Sequence, residues 1–151
     1  MEPGIFNIRV YGLLIDEERI LVTDEFRLGM RMTKFPGGGL IYGEGIADCL
    51  KREFLEELNS EIIRFDHYYT TEQFFETRLL PYDSQLINVY YRVQIKKPYP
   101  FLTTTKPFDF PEEVEGAQCF RWVKMQDLDA SSFTFPIDRF LAEKLKNEYH
   151  V

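Results

Sequence analysis

The sequence predicts an α/β fold in which a mixed β-sheet is sandwiched between helices, formed by a single domain over residues 1–151. Three observations carry this expectation. A length of 151 residues suits one domain with a real core and is short for two. Stretches with the two-residue alternation of strands recur along the chain. Two segments, 46–58 and 136–147, instead carry apolar residues at the three- and four-residue spacings of a helix lying against a sheet.

The elements follow in order. Residues 5–15 are β-branched and aliphatic, Asp16-Glu17-Glu18-Arg19 is a polar turn, and 20–23 resumes the strand pattern, which together predict a β-hairpin. Residues 24–35 read as less regular and lead into Pro36-Gly37-Gly38-Gly39, a run that no helix or central strand is expected to tolerate. In 46–58, Ala47, Leu50, Phe54 and Leu58 make one apolar stripe. Residues 61–77 and 85–95 read as two antiparallel strands joined through a Pro81-Tyr82-Asp83 turn, the second alternating Ile87, Val89, Tyr91, Val93 and Ile95 with mostly polar neighbours. The stretch 97–116, with four prolines, is a long loop of the kind that covers sites. Residues 117–123 form a last strand. Pro136 suits the first position of a terminal helix over 136–147, with Ile137, Phe140, Leu141 and Leu145 on one side.

Composition excludes several function classes. Fourteen Phe and nine Tyr argue against disorder. The start of the chain lacks a basic and apolar leader and no stretch reaches bilayer-spanning length, so a cytoplasmic protein without membrane partners is expected. A net charge of -7 disfavours binding to nucleic acid, and an anionic substrate would then need cations at the contact. Cys49 and Cys119 have no metal or redox spacing and read as buried free thiols. His67 and His150 have no neighbours that suggest catalysis.

The chemistry concentrates in 38–60. With each helical residue advancing by about 100°, Glu53, Glu56 and Glu57 form a carboxylate ridge beside the apolar stripe. Two such charges about 5 Å apart repel by roughly 3 kcal/mol at an effective dielectric near 20. Arg52 can pair with Glu56 four residues on, but the positions four beyond Glu53 and Glu57 are Glu57 and Glu61, so the ridge is short of cations. Clustered carboxylates suit hard ions such as Mg²⁺, which bridge to phosphate oxygens. The preceding glycines let backbone approach a ligand closely. A solvated acidic helix face after a flexible turn is the ordinary alternative for the ridge alone; the adjoining glycine run weighs against it.

This segment resembles the signature of the Nudix hydrolases, Gly-x5-Glu-x7-Arg-Glu-U-x-Glu-Glu-x-Gly-U with U a bulky aliphatic. Gly38, Glu44, Arg52, Glu53, Glu56 and Glu57 stand at its fixed positions and Phe54 at its bulky one, while Asn59 and Ser60 replace the final pair. Asn is the non-glycine residue best able to take the left-handed conformation that ends such a helix. Phe35-Pro36-Gly37 and Arg121-Trp122-Val123 resemble the family's flanks. The resemblance implies Mg²⁺, with Mn²⁺ as the alternative, held by Glu53, Glu56, Glu57 and the Gly37 carbonyl. It further implies that Arg52 orients a ligand glutamate, that Glu44 supports the site from the loop, and that a nucleoside diphosphate linkage is cleaved by water. The general base stays open among Glu53, Glu57 and the loop glutamates Glu112, Glu113 and Glu115, of which Glu115 is preferred because it lies nearest the following strand. A homodimer follows only by family analogy.

Residues outside the signature bear on substrate. Arg9, Arg27, Arg31 and Lys34 are candidates to meet phosphates with Gly38, and Phe74, Phe75, Tyr99 or Phe101 to stack on a base; for each, a solvated cation or a packing aromatic is the commoner role. Glu25-Phe26-Arg27 resembles a substrate-contacting stretch of the ADP-ribose pyrophosphatase branch, but that branch's proline about sixteen residues after the signature is absent. The rivals are a sanitising nucleoside triphosphate pyrophosphatase and a non-catalytic nucleotide sensor.

Overall fold

The computed structural model describes residues 4–77 and 83–149. It has the expected α/β fold with a mixed sheet and two helices. The chain gathers into two compact units: Met1–Leu13 with Gly37–Tyr99, and Leu14–Pro36 with Pro100–Val151. Strand β1 (Ile5–Asp16) contributes to both. Pro81 and Tyr82 of the expected turn, and His150, lie outside the described residues.

The first unit contains β4 (Gly37–Gly39), α1 (Ile46–Leu58), β5 (Ile62–Thr70), β6 (Phe75–Thr77) and β7 (Ser84–Ile95). Strand β7 lies between β1 and β5, and β4 pairs antiparallel with β1 in the register Arg9↔Gly39, Tyr11↔Gly37. Thus the glycine run read as a loop is a short strand. It is tolerated because neighbours occupy the volume that side chains would need: a Cβ on Gly37 (φ 148°) would overlap the Val10 carbonyl, and one on Gly38 the Glu53 carboxylate. Helix α1 has the predicted bounds and buries Cys49, Leu50, Phe54 and Leu58. The Phe54 ring lies against the backbone of Gly12, where no side chain would fit. Burial of Leu50, Phe54 and Leu58 contributes on the order of 2 kcal/mol each, enough to hold the helix despite repulsion along its glutamate ridge.

The helix ends as its sequence suggests. Asn59 is left-handed (φ 49°, ψ 38°), its N–H donates to Leu55 O at 3.1 Å, and the Ser60 N–H donates to Phe54 O at 3.2 Å. Ser60 is buried, its hydroxyl donating to Leu58 O at 2.9 Å. The stretch 61–77 is two strands rather than one. Thr71 ends β5 because its hydroxyl, donating to Asn88 O at 3.0 Å and accepting from Asn88 N at 2.9 Å, takes over positions of the ladder.

The second unit contains β2 (Arg19–Arg27), β3 (Met30–Lys34), β8 (Ala117–Lys124) and α2 (Pro136–Tyr149), with two short 3-10 turns at Met125–Asp127 and Ala130–Ser132. Strand β2 pairs antiparallel with both β3 and β8. Residues 24–35, read as irregular, are therefore mostly a hairpin turning at Leu28 and Gly29, both at positive φ. Asp24 and Glu25, charged residues in a strand, mask the strand pattern in the sequence. Both are buried, and both are compensated: Asp24 by Arg121 at 2.9 and 3.1 Å, by Thr33 Oγ1 at 2.7 Å and by Phe108 N at 3.2 Å, and Glu25 by Lys34 at 3.1 Å and Arg27 at 3.0 Å. The stretch 97–116 is a loop without helix or strand, as expected, joined to β8 by one parallel bridge, Thr104↔Arg121. Helix α2 runs two residues past its expected end and buries Ile137, Asp138, Leu141, Ala142 and Leu145, while Phe140 is only half-buried.

Candidate active site

The signature residues of the first unit converge on Arg52. Its Nε and Nη2 donate to the two oxygens of Glu44 at 2.9 and 2.8 Å, and Nη1 donates to Glu53 Oε1 at 3.0 Å and Glu56 Oε2 at 3.2 Å. Nη2 also donates to the Gly39 carbonyl at 3.0 Å. One planar, permanently charged fork thus ties α1 to β4 and to the loop between them. Glu44 in turn accepts the Ile41 N–H at 2.9 Å, which fixes that loop.

The electrostatics follow from the contacts. The Arg52 hydrogen bonds, with the Ile41 N–H, hold the Glu44 carboxyl down at about 2. The Arg52 guanidinium is pushed up, first by its hydrogen bond to Glu44 and then by Glu53. Burial, reinforced by Glu44, raises the Cys49 thiol to about 12, so Cys49 is an inert thiol beside the Gly39 carbonyl rather than a nucleophile. Both cysteines are free and buried, as expected.

The carboxylate ridge has a graded exposure. The Glu53 side chain is 12% exposed and that of Glu56 60%, and Glu57 is half-buried. Glu53 is packed under Gly38, so the glycine strand sets its position. A Gly38→Ala substitution would push into that carboxylate, and we expect it to cost about 1–3 kcal/mol of stability and to displace Glu53; thermal unfolding beside a turnover assay checks both effects.

The other candidates fall elsewhere. Arg9, on β1 opposite Gly39, donates from Nε to the Tyr11 hydroxyl at 2.6 Å, and Tyr11 stacks on Tyr90 with centroids 5.5 Å apart. Arg27, Arg31, Lys34 and Glu115 belong to the second unit. Arg27 and Lys34 are both paired with Glu25, and Arg31 with Glu113. Both oxygens of Glu115 accept the Leu28 N–H, at 3.0 and 2.9 Å, so this carboxylate holds the β2–β3 turn. Glu112 is exposed. Tyr99 lies under the Lys97 ammonium and Phe101 packs on Phe120.

One feature of the first unit escapes sequence reading. A cavity of 220 Å³ is lined by Ile5, Phe6, Phe74, Glu76 and Ser84 among others. Phe6 and Phe74 are exposed at 64% and 69%, whereas Ser84 is buried with its hydroxyl lacking a hydrogen-bond partner among the described residues. Phe74 was a stacking candidate from its residue type; Phe6 and Ser84 carry no sequence signal, because only the meeting of β1 with the β6–β7 pair brings them together.

The Nudix domain model matches residues 6–144, and the chain belongs to the Nudix family. Among solved structures it is similar to MutT from work on Aliivibrio salmonicida and Vibrio cholerae (20% identity, 95% of this chain and 98% of that one, TM-score 0.55). It is also similar to a Nudix hydrolase from Nitrosomonas europaea (16%, 95% and 88%, 0.61) and a MutT Nudix hydrolase from Burkholderia pseudomallei (14%, 91% and 96%, 0.65). At these identities the likeness is one of fold. No curated protein matches. Among the described residues no helix is long and apolar enough to cross a membrane.

The family is generally dependent on divalent metal. Among the described residues no three His, Cys, Asp or Glu side chains form a ready-made metal cage. The donor chemistry nevertheless fits Mg²⁺, which keeps several waters and takes one or two carboxylates together with substrate phosphates. The Arg52 contact uses Oε1 of Glu53 and Oε2 of Glu56, leaving the other oxygen of each outside it. Glu53, Glu56 and Glu57 would hold the ion, with the Gly37 carbonyl as a further candidate donor.

Proposed function

We propose that the protein is a Mg²⁺-dependent pyrophosphohydrolase that cleaves a nucleoside diphosphate linked to another moiety, of the ADP-ribose or nucleotide-sugar type, by attack of water at phosphorus. The observation that carries this reading is the Arg52 hub, which fixes the acidic ridge of α1 against a strand made only of glycine. When bound, the metal would polarise the phosphoryl oxygens and lower the pKa of the attacking water.

The chain's own residues have separate tasks in this scheme. Arg52 orients Glu53 and Glu56, Glu44 neutralises and positions Arg52, and Gly38, expected from the sequence to meet phosphates, instead leaves room for the Glu53 carboxylate. Glu57 takes the water proton. We prefer it to Glu115 because it stands on α1 with Glu53 and Glu56, whereas Glu115 accepts the Leu28 N–H in the second unit. Arg9, half-buried beside Gly39, supplies positive charge toward the diphosphate. The cytoplasm is the expected compartment.

The cavity between Phe6 and Phe74 supports a substrate with a ring at one end. At 220 Å³ it is smaller than the ~300 Å³ or more of a cleft that takes a whole drug-sized ligand, so it suits one planar group. Glu76 in its wall disfavours a phosphate there. Phe74→Ala should raise KM about tenfold for nucleotide substrates, a typical loss for one base–aromatic stack, with kcat unchanged; steady-state kinetics checks this.

A second reading is a nucleoside triphosphate pyrophosphatase, favoured by the MutT names among the fold neighbours. A substrate panel separates the two: nucleoside monophosphate with a second phosphorylated product supports the first, and inorganic pyrophosphate supports the second. Nucleotide binding with no turnover anywhere in the panel would make the protein a sensor.

A further inference from the structure

Outside the proposed hydrolytic site, the second unit brings two cations together on neighbouring strands. The antiparallel register of β2 on β8 places Arg19 directly opposite Lys124. Residues so paired have Cβ atoms about 5 Å apart, and like charges there are destabilising. Among the described residues neither cation forms an ion pair, although Asp16 stands opposite Arg19 on β1 and Glu17 and Glu18 precede it in the turn.

Arg19 is also held in a particular way. Its guanidinium lies over the Trp122 ring, 4.3 Å from the centroid, and its Nε is buried without a hydrogen-bond partner among the described residues. An unsatisfied buried donor costs about 1–3 kcal/mol, and here it belongs to a charged group. A cavity of 510 Å³ opens at this point, lined by Arg19, Lys124, Gln126 and Tyr149 together with Glu17, Glu18 and Met125. Gln126 and Tyr149 add neutral polar groups to the two cations.

We propose that this cavity is a binding site for a small oxyanion of the phosphate class, held between Arg19 and Lys124. A dianion relieves the repulsion across the strand pair and gives Arg19 acceptors for its donor fork, while Trp122 keeps the guanidinium flat and in place. The phosphoryl group can come from inorganic phosphate or from a nucleotide. Anion binding at this cavity does not require the hydrolytic activity.

Trp122 is the only tryptophan in the chain, so its fluorescence reports on the site directly. The full chain, with EDTA present, is titrated with inorganic phosphate and separately with AMP, at constant ionic strength and with chloride as control. The expected result is a saturable change in Trp122 emission with one or both phosphates and none with chloride. The change should disappear in Arg19→Met and need at least about tenfold more ligand in Lys124→Met. A response to phosphate alone assigns the site to the free ion, and one to AMP alone assigns it to a nucleotide; either supports the proposal. It is overturned if phosphate and chloride act alike, if no saturation occurs below about 10 mM, or if Lys124→Met responds like wild type. Should Arg19→Met fail to fold, exposed Lys124 decides the matter. A response that arises only after Glu17→Gln and Glu18→Gln also overturns it, because the turn carboxylates would then be the natural partners.

Discussion

Replacing Glu57 by Gln is expected to lower metal-dependent kcat/KM by roughly 10²- to 10⁴-fold, the range for loss of a proton acceptor or of one electrostatic stabiliser, and Glu56→Gln to act in the same direction through the metal. Stability should move the other way. Glu53 and Glu57 are four residues apart on α1, and removing one of two like charges at that spacing relieves a few tenths of a kcal/mol. A variant that is as stable as wild type or slightly more so, yet inactive, has lost chemistry rather than fold. Thermal unfolding and turnover measured on one preparation make the distinction. A Glu57→Gln protein that is both inactive and strongly destabilised would instead show a structural role.

The second large effect concerns Arg52. Arg52→Gln removes the fork that holds Glu44, Glu53, Glu56 and the Gly39 carbonyl, and loss of a residue that orients metal ligands typically costs 10- to 100-fold in metal affinity or activity. It should also change the acid limb of the stability curve. In the folded protein Arg52, and then the Ile41 N–H, lowers Glu44 from its ordinary 4.5 to about 2. A depressed carboxyl pKa contributes stability that is present in full above the unfolded value and is lost as pH falls from about 4.5 toward 2. Without Arg52 that contribution shrinks, so the variant is less stable at neutral pH and loses less between those values. Unfolding midpoints across this window check the expectation; an acid limb as steep as that of wild type would mean that Glu44 is held by the loop backbone alone.

The sequence made the local structure of α1 legible because two independent periodicities overlap there. Phe54 and Leu58 mark the buried side, Glu53 and Glu57 the ridge, and Asn59 stands where a left-handed residue must end the helix. Other elements were hidden for physical reasons. Gly37-Gly38-Gly39 reads as a loop because glycine weakens a strand, yet it pairs with β1 because Val10, Tyr11 and Glu53 fill the space beside it. Asp24 and Glu25 disguised the β2–β3 hairpin, since their compensating cations Arg121 and Lys34 lie 97 and nine positions away respectively, and charge pairing at such separations leaves no periodic trace.

The candidate site divides along the same line. Arg52 and Glu56, four residues apart, were predictable as a pair, and the structure has them at 3.2 Å. The contacts of Arg52 with Glu44 and the Gly39 carbonyl depend on how the loop folds back onto the helix. The roles foreseen for Arg27 and Lys34 on a substrate compete with ion pairs to buried Glu25, a use of cations that residue type alone does not reveal.

Hydrolysis in ¹⁸O-labelled water, with ADP-ribose as substrate and Mg²⁺ added or withheld, decides whether water attacks phosphorus at this site. The expected result is Mg²⁺-dependent formation of AMP and ribose 5-phosphate, one labelled oxygen on a product phosphate, and loss of both products in Glu57→Gln. Label on the ribose carbon, turnover that persists in Glu56→Gln and Glu57→Gln alike, or nucleotide binding without turnover would contradict it.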